Sequence, residues 1–379
     1  MKKTLVASCL AAGVTVVGLA APAAADPTDV YPAPLNGSGS DTTEVVMRQL
    51  DAAIGDLASW DIAGGAWDTN GTAAGCAFTG RIAGSTDGRR ALANSVTNGD
   101  GCFQFARSSS RATSQATANL AALPYNAPTA TVSMLPIQLG VDGLGYVFRA
   151  GSGTPRDLTL GQLRAIYNCT FTGVVDGRNM ASSTIPNQPL LPTDASGTRS
   201  DWLALMGLST SQSVDVASDS APGATTHPAC IEDGPGDSGQ AGGEFSEHNG
   251  TVLTNGRQII GHSIGQWIAQ GRSFTGDFRG LAQLGYINGN VPLQQLDDPG
   301  SNLGPSTASG SPTTDGAYFR NVFNIVPATE WDDPTIQGVF GVRSGGANTD
   351  PAGDVPNANS GAICTNDTLV RNNGFIPVC

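Results

Sequence analysis

Apolar positions along the chain recur with two periods. Val46, Leu50, Ala53 and Leu57 stand three or four residues apart, as do Leu160, Leu163 and Ile166, and again Ile264, Trp267 and Ile268. That spacing predicts three amphipathic helices. Between them, the runs Ala130 to Pro136, Gly145 to Phe148 and Gln258 to Ile260 read as strands. Strands alternating with helices predict parallel pairing within an α/β fold. Polar stretches at 61–75, 219–250 and 298–316 break the pattern as loops, and the last is rich in Gly, Ser and Pro.

The longest apolar run, Leu5 to Ala20, follows Met1-Lys2-Lys3-Thr4 and precedes Ala21-Pro22-Ala23-Ala24-Ala25. This is the order of a secretory signal peptide over 1–25, with cleavage expected near Ala25. No second apolar span of membrane length follows, so a soluble, secreted or envelope-located mature chain is expected. Val6-Ala7-Ser8-Cys9 resembles a lipoprotein box, but most of the apolar region lies after Cys9, the wrong side for a lipid anchor. The roughly 354 residues beyond Ala25 exceed what one hydrophobic core usually supports, which predicts two lobes.

Charge narrows the possible partners. Both lysines precede Thr4, leaving 17 Arg against 32 acidic residues and a formal charge of −15. Such an acidic chain repels nucleic acid and anionic membrane. Without Lys there is no Schiff-base chemistry and no Walker-type phosphate loop. Arg is then the only cation available for bidentate binding of a carboxylate or phosphate. Six cysteines follow Cys9, an even number suited to an oxidising compartment. The favoured pairs are neighbours in sequence: Cys76 with Cys102, Cys169 with Cys230, and Cys364 with Cys379. None belongs to a C-x-x-C pair and only three His are present, so no metal and no cofactor is expected.

Four segments combine small and hydroxyl residues with a following helix or flanking Arg. They are Gly37 to Thr43 ahead of Glu44, Gly84 to Gly88 ahead of Arg89, Phe105 to Arg111, and Thr193 to Ser200 ahead of Trp202. A helix start exposes unpaired N–H groups and a partial positive charge, so each segment can cap a helix or hold an anion. Asp41 and Glu44 also have the spacing of a capping box. Micromolar binding needs about 8 kcal/mol, while a helix dipole supplies roughly 0.3–1 and a charged hydrogen bond about 1.5–3. Several segments must therefore converge, which points to a cleft between lobes that close on a hinge.

In this order the segments resemble the periplasmic-type phosphate-binding proteins of phosphate ABC transporters. Gly39 to Thr42, Gly84 to Gly88 and Phe105 to Ser109 look like the family's first three ligand loops. Leu158 to Tyr167 looks like the family helix that closes on I-Y, Ser196-Gly197-Thr198 like its S-G-T anion loop, and Ile259 to His262 like its A-I-G-Y turn. The resemblance implies a type II periplasmic-binding-protein fold, each lobe a mixed sheet flanked by helices. Lobe one would take 26–138 plus 320–379 and lobe two 139–319. It also implies a monomeric, non-catalytic binder of inorganic phosphate or a similar oxyanion, with a transporter permease as a partner. Ser40, Thr42, Ser85, Ser196, Gly197 and Thr198 would donate to the anion. Ser109 stands where the family has a proton-accepting Asp, and Pro192 where it has an Arg. Asp41, then Asp194, is the expected substitute acceptor, and Arg107 or Arg199 the substitute cation.

Three other readings compete. Gly261-His262-Ser263-Ile264-Gly265 matches the G-x-S-x-G elbow of serine hydrolases, but no His follows Ser263 to complete that order. Asp41, Asp87 and Asp194 lie in three of the loops as in a metal-dependent phosphatase, without a D-x-D or His-rich set. The third is a secreted scaffold that kept the fold and lost the ligand.

Overall fold

The computed structural model describes residues 26–27, 35–62, 64–69, 76–120, 129–171, 174–175, 178–179, 188–192, 195–208, 231, 245, 248–287, 318–341 and 361–377. Residues 1–25, expected to be a signal peptide, lie outside them, as do Thr193, Asp194 and the stretch 298–316. The main elements are β1 (Leu35–Gly39), α1 (Glu44–Ile54), β2 (Leu57–Ser59), α2 (Ser85–Asn98), β3 (Phe105–Ser108), β4 (Thr131–Arg149), α3 (Leu160–Tyr167), β5 (Gln188–Leu190), α4 (Gly197–Met206), β6 (Gln258–Ser263), α5 (Ile264–Gly271), β7 (Ala282–Ile287) and β8 (Tyr318–Pro327). Two short helices, α6 (Pro334–Phe340) and α7 (Asp367–Asn372), close the chain.

The fold is mixed α/β, as expected, around one large sheet in the order β5-β6-β4-β8-β3-β1-β2. Pairing is parallel at its two ends, β1 with β2 and β3, and β5 with β6. In the middle it is antiparallel, because β8 pairs over its whole length with residues 134–144 of β4, and β4 also pairs antiparallel with β6 and β7. The parallel pairing read from the alternation of strands and helices holds at the ends and not at the centre, so the sheet is mixed, as the resemblance implies. The two runs read as separate strands, Ala130 to Pro136 and Gly145 to Phe148, belong to the single 19-residue strand β4. The ladder with β8 steps over Leu139, where Val322 faces Gly140 and Phe323 faces Gln138. Such a bulge bends the strand and re-aims its side chains.

Hydrophobic packing falls into groups on either side of this step. One set joins Val46, Met47, Leu50 and Phe105 with Val322, Ile336 and Phe375, and a neighbouring set joins Trp60, Trp67 and Phe78 with Phe323 and Ile325. A separate set joins Leu144, Tyr146, Leu163, Trp202, Ile259 and Ile287. The helical periods held for α3 and α5. In α1 the buried face is Val46, Met47 and Leu50, but Gly55 turns left-handed at φ 78° and stops the helix. Leu57 therefore starts β2 instead of extending α1.

Cys76 and Cys102 form the expected disulfide. Cys169 and Cys364 are also disulfide-bonded; their expected partners, Cys230 and Cys379, lie outside the described residues.

Candidate functional site

Parallel strands deliver their loops to one edge of a sheet, and here three of the four segments end in a helix start. β1 runs into Ser40-Asp41-Thr42 and α1, while the segment bridged to Gly39 at Ala83 runs into Gly84 and α2. β3 leads to Ser109, and Ser196 caps α4 by accepting from the Arg199 N–H at 3.1 Å. Neither Thr43 nor Gly84 makes a side-chain cap at its helix. The predicted Asp41–Glu44 capping box is thus not formed. A capping box occurs instead at Thr159 and Gln162 of α3.

The four segments meet. Thr42 Oγ1 lies 3.3 Å from Thr198 Oγ1, and Ser85 Oγ lies 3.0 Å from Ser109 Oγ. The Ser109 N–H donates to Ser85 Oγ at 2.9 Å. Thr86 donates its N–H to the carbonyl of Ala195 at 3.2 Å, which ties the start of α2 to the start of α4. Gly197 makes the approach possible, because a Cβ there would stand 2.2 Å from Ser109 Oγ and 2.7 Å from Ser85 Oγ. Gly88 does the same for α2 against β1, since its Cβ would stand 2.6 Å from the Gly39 Cα. Ser40, Thr42, Ser85, Ser109, Ser196 and Thr198 are all buried, and Ser40 Oγ has no hydrogen-bond partner among the described residues.

A cation not singled out in the sequence sits among the hydroxyls. Arg320, on β8, donates from Nη2 to Thr198 Oγ1 at 2.6 Å and to Thr42 Oγ1 at 3.3 Å. Its guanidinium is held by Asp142, directly opposite it on β4, through Nε at 3.1 Å and Nη2 at 2.9 Å, and by Asp201 of α4 at 3.2 Å. Asp142 in turn accepts from the N–H of Gly265 and from Ser263 Oγ, both at 3.0 Å, at the start of α5. The available signal was one Arg and one Asp, each isolated in an apolar stretch. Their facing register cannot be read from either stretch alone.

The two expected cations serve other contacts. Arg107 is fully buried and donates to the Ser40 carbonyl at 3.0 Å, Ser59 Oγ at 2.8 Å and the Trp60 carbonyl at 2.7 Å. Its remaining nitrogen faces Glu44 at 3.8 Å. It therefore fixes the Ser40 turn from behind. Arg199 donates to the Pro192 carbonyl at 2.8 Å, within its own loop. Asp41 is engaged by His248 Nδ1 at 2.9 Å, and Gln266 donates to its carbonyl. Asp87 pairs with Arg90.

The G-x-S-x-G segment does form a strand, turn and helix, yet its chemistry differs from a hydrolase elbow. Ser263 Oγ caps α5 by accepting from Gln266 and donates to Asp142. The neighbouring His262 contacts the Ser263 carbonyl through Nδ1, not the hydroxyl. Burial, assisted by His248, pushes the His262 ring down to about 3, so it is neutral at pH 7.

Among solved structures, the chain is similar to phosphate-binding proteins. A human phosphate binding apolipoprotein shares 14% identity at a TM-score of 0.45, with 91% of each chain covered. The phosphate binding protein of Stenotrophomonas maltophilia shares 15% at 0.42, covering 91% of this chain and 90% of that one. PstS from Borrelia burgdorferi shares 13% at 0.39, covering 91% and 98%. No family model and no curated protein matches.

Proposed function

We propose that this chain is a secreted, two-lobed binding protein that captures a tetrahedral oxyanion, inorganic phosphate first among them, and performs no catalysis. The observation that carries the reading is the convergence of hydroxyls from four segments, Thr42 with Thr198 beside the Arg320 guanidinium and Ser85 with Ser109 against Gly197. Hydroxyls rotate freely, so contacts they now make with one another can be exchanged for donation to an anion. Main-chain N–H groups at Gly197 and the starts of α1 and α2 add donors without adding charge. Ser40, whose buried hydroxyl is unpaired among the described residues, belongs to the same set. Arg320 is largely neutralised by Asp142 and Asp201, so dipoles and hydroxyls carry most of the binding. Asp41 remains the proposed acceptor for the phosphate proton, and this role requires it to exchange His248 for the ligand. The leader-like first 25 residues and the paired cysteines support export, and delivery to a transporter permease is the role such a binder would serve.

Calorimetric titration of anion-free protein with phosphate, sulfate and a phosphate ester tests the reading. Saturable heat with phosphate is expected. Absence of both heat and thermal shift with all three overturns it. Asp41→Asn should weaken phosphate more than sulfate, and an unchanged ratio removes Asp41 from the role.

One observation favours a second reading, a scaffold that binds no anion: the hydroxyls already pair with each other and Arg320 already has two carboxylates. The same titration separates the two.

A further inference from the structure

Arg89, one turn into α2 behind Ser85, is buried to 9% exposure, and its donors meet only neutral groups. Nη1 donates to Ser108 Oγ at 2.7 Å and Ser110 Oγ at 3.0 Å, Nη2 to Thr86 Oγ1 at 3.2 Å, and Nε to the Gln115 side-chain carbonyl at 3.2 Å. Among the described residues no carboxylate pairs with it. That separates it from Arg320, which has Asp142 and Asp201, and from Arg107, which has Glu44. The charged groups bearing on Arg89 are its helix neighbours Arg90 and Asp87, and those two pair with each other. A buried cation without a counterion is costly unless something supplies the charge. Burial does lower its pKa, to about 10, which still leaves it charged at neutral pH.

Its location indicates which kind of group would supply that charge. Ser108 and Ser110 flank Ser109, and Thr86 follows Ser85, so the guanidinium holds side-chain hydroxyls on both sides of the Ser85–Ser109 contact. We infer that Arg89 is a positioning residue for the oxyanion site, which holds the Ser85 and Ser109 segments together and supplies the uncompensated positive charge that an anion neutralises. This rests on the oxyanion reading above. It assigns the site's net charge to a residue that does not itself touch the ligand.

The test is calorimetry of the full chain with inorganic phosphate and sulfate, on wild type, R89Q and R89K. R89Q keeps hydrogen-bonding capacity and loses the charge, while R89K keeps the charge and loses the fork. A unit charge acting within a buried site is worth on the order of 10- to 100-fold in affinity. R89Q is expected to bind both anions weaker by that factor, and R89K, which keeps the charge but not the fork, to fall between R89Q and wild type. R89Q binding as tightly as wild type, or R89K losing as much as R89Q, overturns the role of charge. R89M replaces R89Q if the latter does not fold. A wild type silent towards both anions overturns the oxyanion reading itself, whereas a binding wild type with an unaffected R89Q overturns this inference alone.

Discussion

Gly197 decides how closely two helix starts can approach. With a Cβ 2.2 Å from Ser109 Oγ, Gly197→Ala must push α4 away from α2 or rotate both serines out of place. Overpacking of this kind costs roughly 1–3 kcal/mol. Denaturant unfolding should show that loss, and anion affinity should drop by at least ~10-fold. A protein with Gly197→Ala that binds normally would place the anion elsewhere. The Arg320–Asp142 pair behaves differently. Removing one partner of a buried ion pair costs about 3–5 kcal/mol, while replacing both with apolar groups is often near neutral. Asp142→Leu alone should therefore destabilise strongly, and the Arg320→Met, Asp142→Leu double variant much less than the two singles summed. Additive effects in a double-mutant cycle would deny the coupling. At this scale the hydroxyl loops were legible in the sequence because helix starts favour Ser, Thr and Gly for local reasons. Arg320 was not, since its role comes from a strand pairing across 178 residues of chain.

Among the elements, α3 and α5 followed from apolar spacing because each buries one stripe against the sheet. β4 was half visible: Gly140 and Gly143 interrupt its hydrophobic pattern, and pairing with β8 and β7 along one edge and with β6 along the other keeps it extended. The lobe boundaries expected at 138/139 and 319/320 fall within β4 and β8, beside the bulge at Leu139. A different constraint holds the loop between β2 and α2. Cys76 and Cys102, 26 residues apart, are joined beside the stacked Phe78 and Phe103 rings. Closing a loop of that length stabilises by roughly 3 kcal/mol in the chain-entropy account. The Cys76→Ala, Cys102→Ala double variant should lose about that much in urea unfolding. An unchanged midpoint would mean that the aromatic packing alone fixes the segment.

For the whole molecule, two buried groups give stability opposite slopes with pH. Burial raises the Glu44 carboxyl from 4.5 to about 7 against the pull of Arg107. The folded state then binds the proton more tightly, so this contribution is full below pH 4.5 and is lost as pH rises to about 7. Burial lowers His262 from 6.5 to about 3, so its contribution is full above pH 6.5 and is lost as pH falls towards 3. Between pH 4.5 and 6.5 the two slopes oppose each other. Unfolding free energy from these groups should be flattest there, falling on both sides. Glu44→Gln should remove the decline between pH 6.5 and 7, as read from denaturant midpoints, and a decline that persists would assign it to another group.

By itself the sequence determined the mixed α/β class, the hydroxyl-rich helix starts, the Cys76–Cys102 pair and the acidic composition, with its two lysines at positions 2 and 3. Each is fixed by composition or by contacts within a few turns of chain, where propensity and spacing act directly. The tertiary structure alone decided which loops meet, that Arg320 and not Arg107 stands among the hydroxyls, and that Asp41 faces His248. Those outcomes depend on strand register and on the close approaches that Gly88 and Gly197 permit. A one-residue slip would turn Arg320 to the other face of the sheet, and nothing in the local sequence records which face it takes.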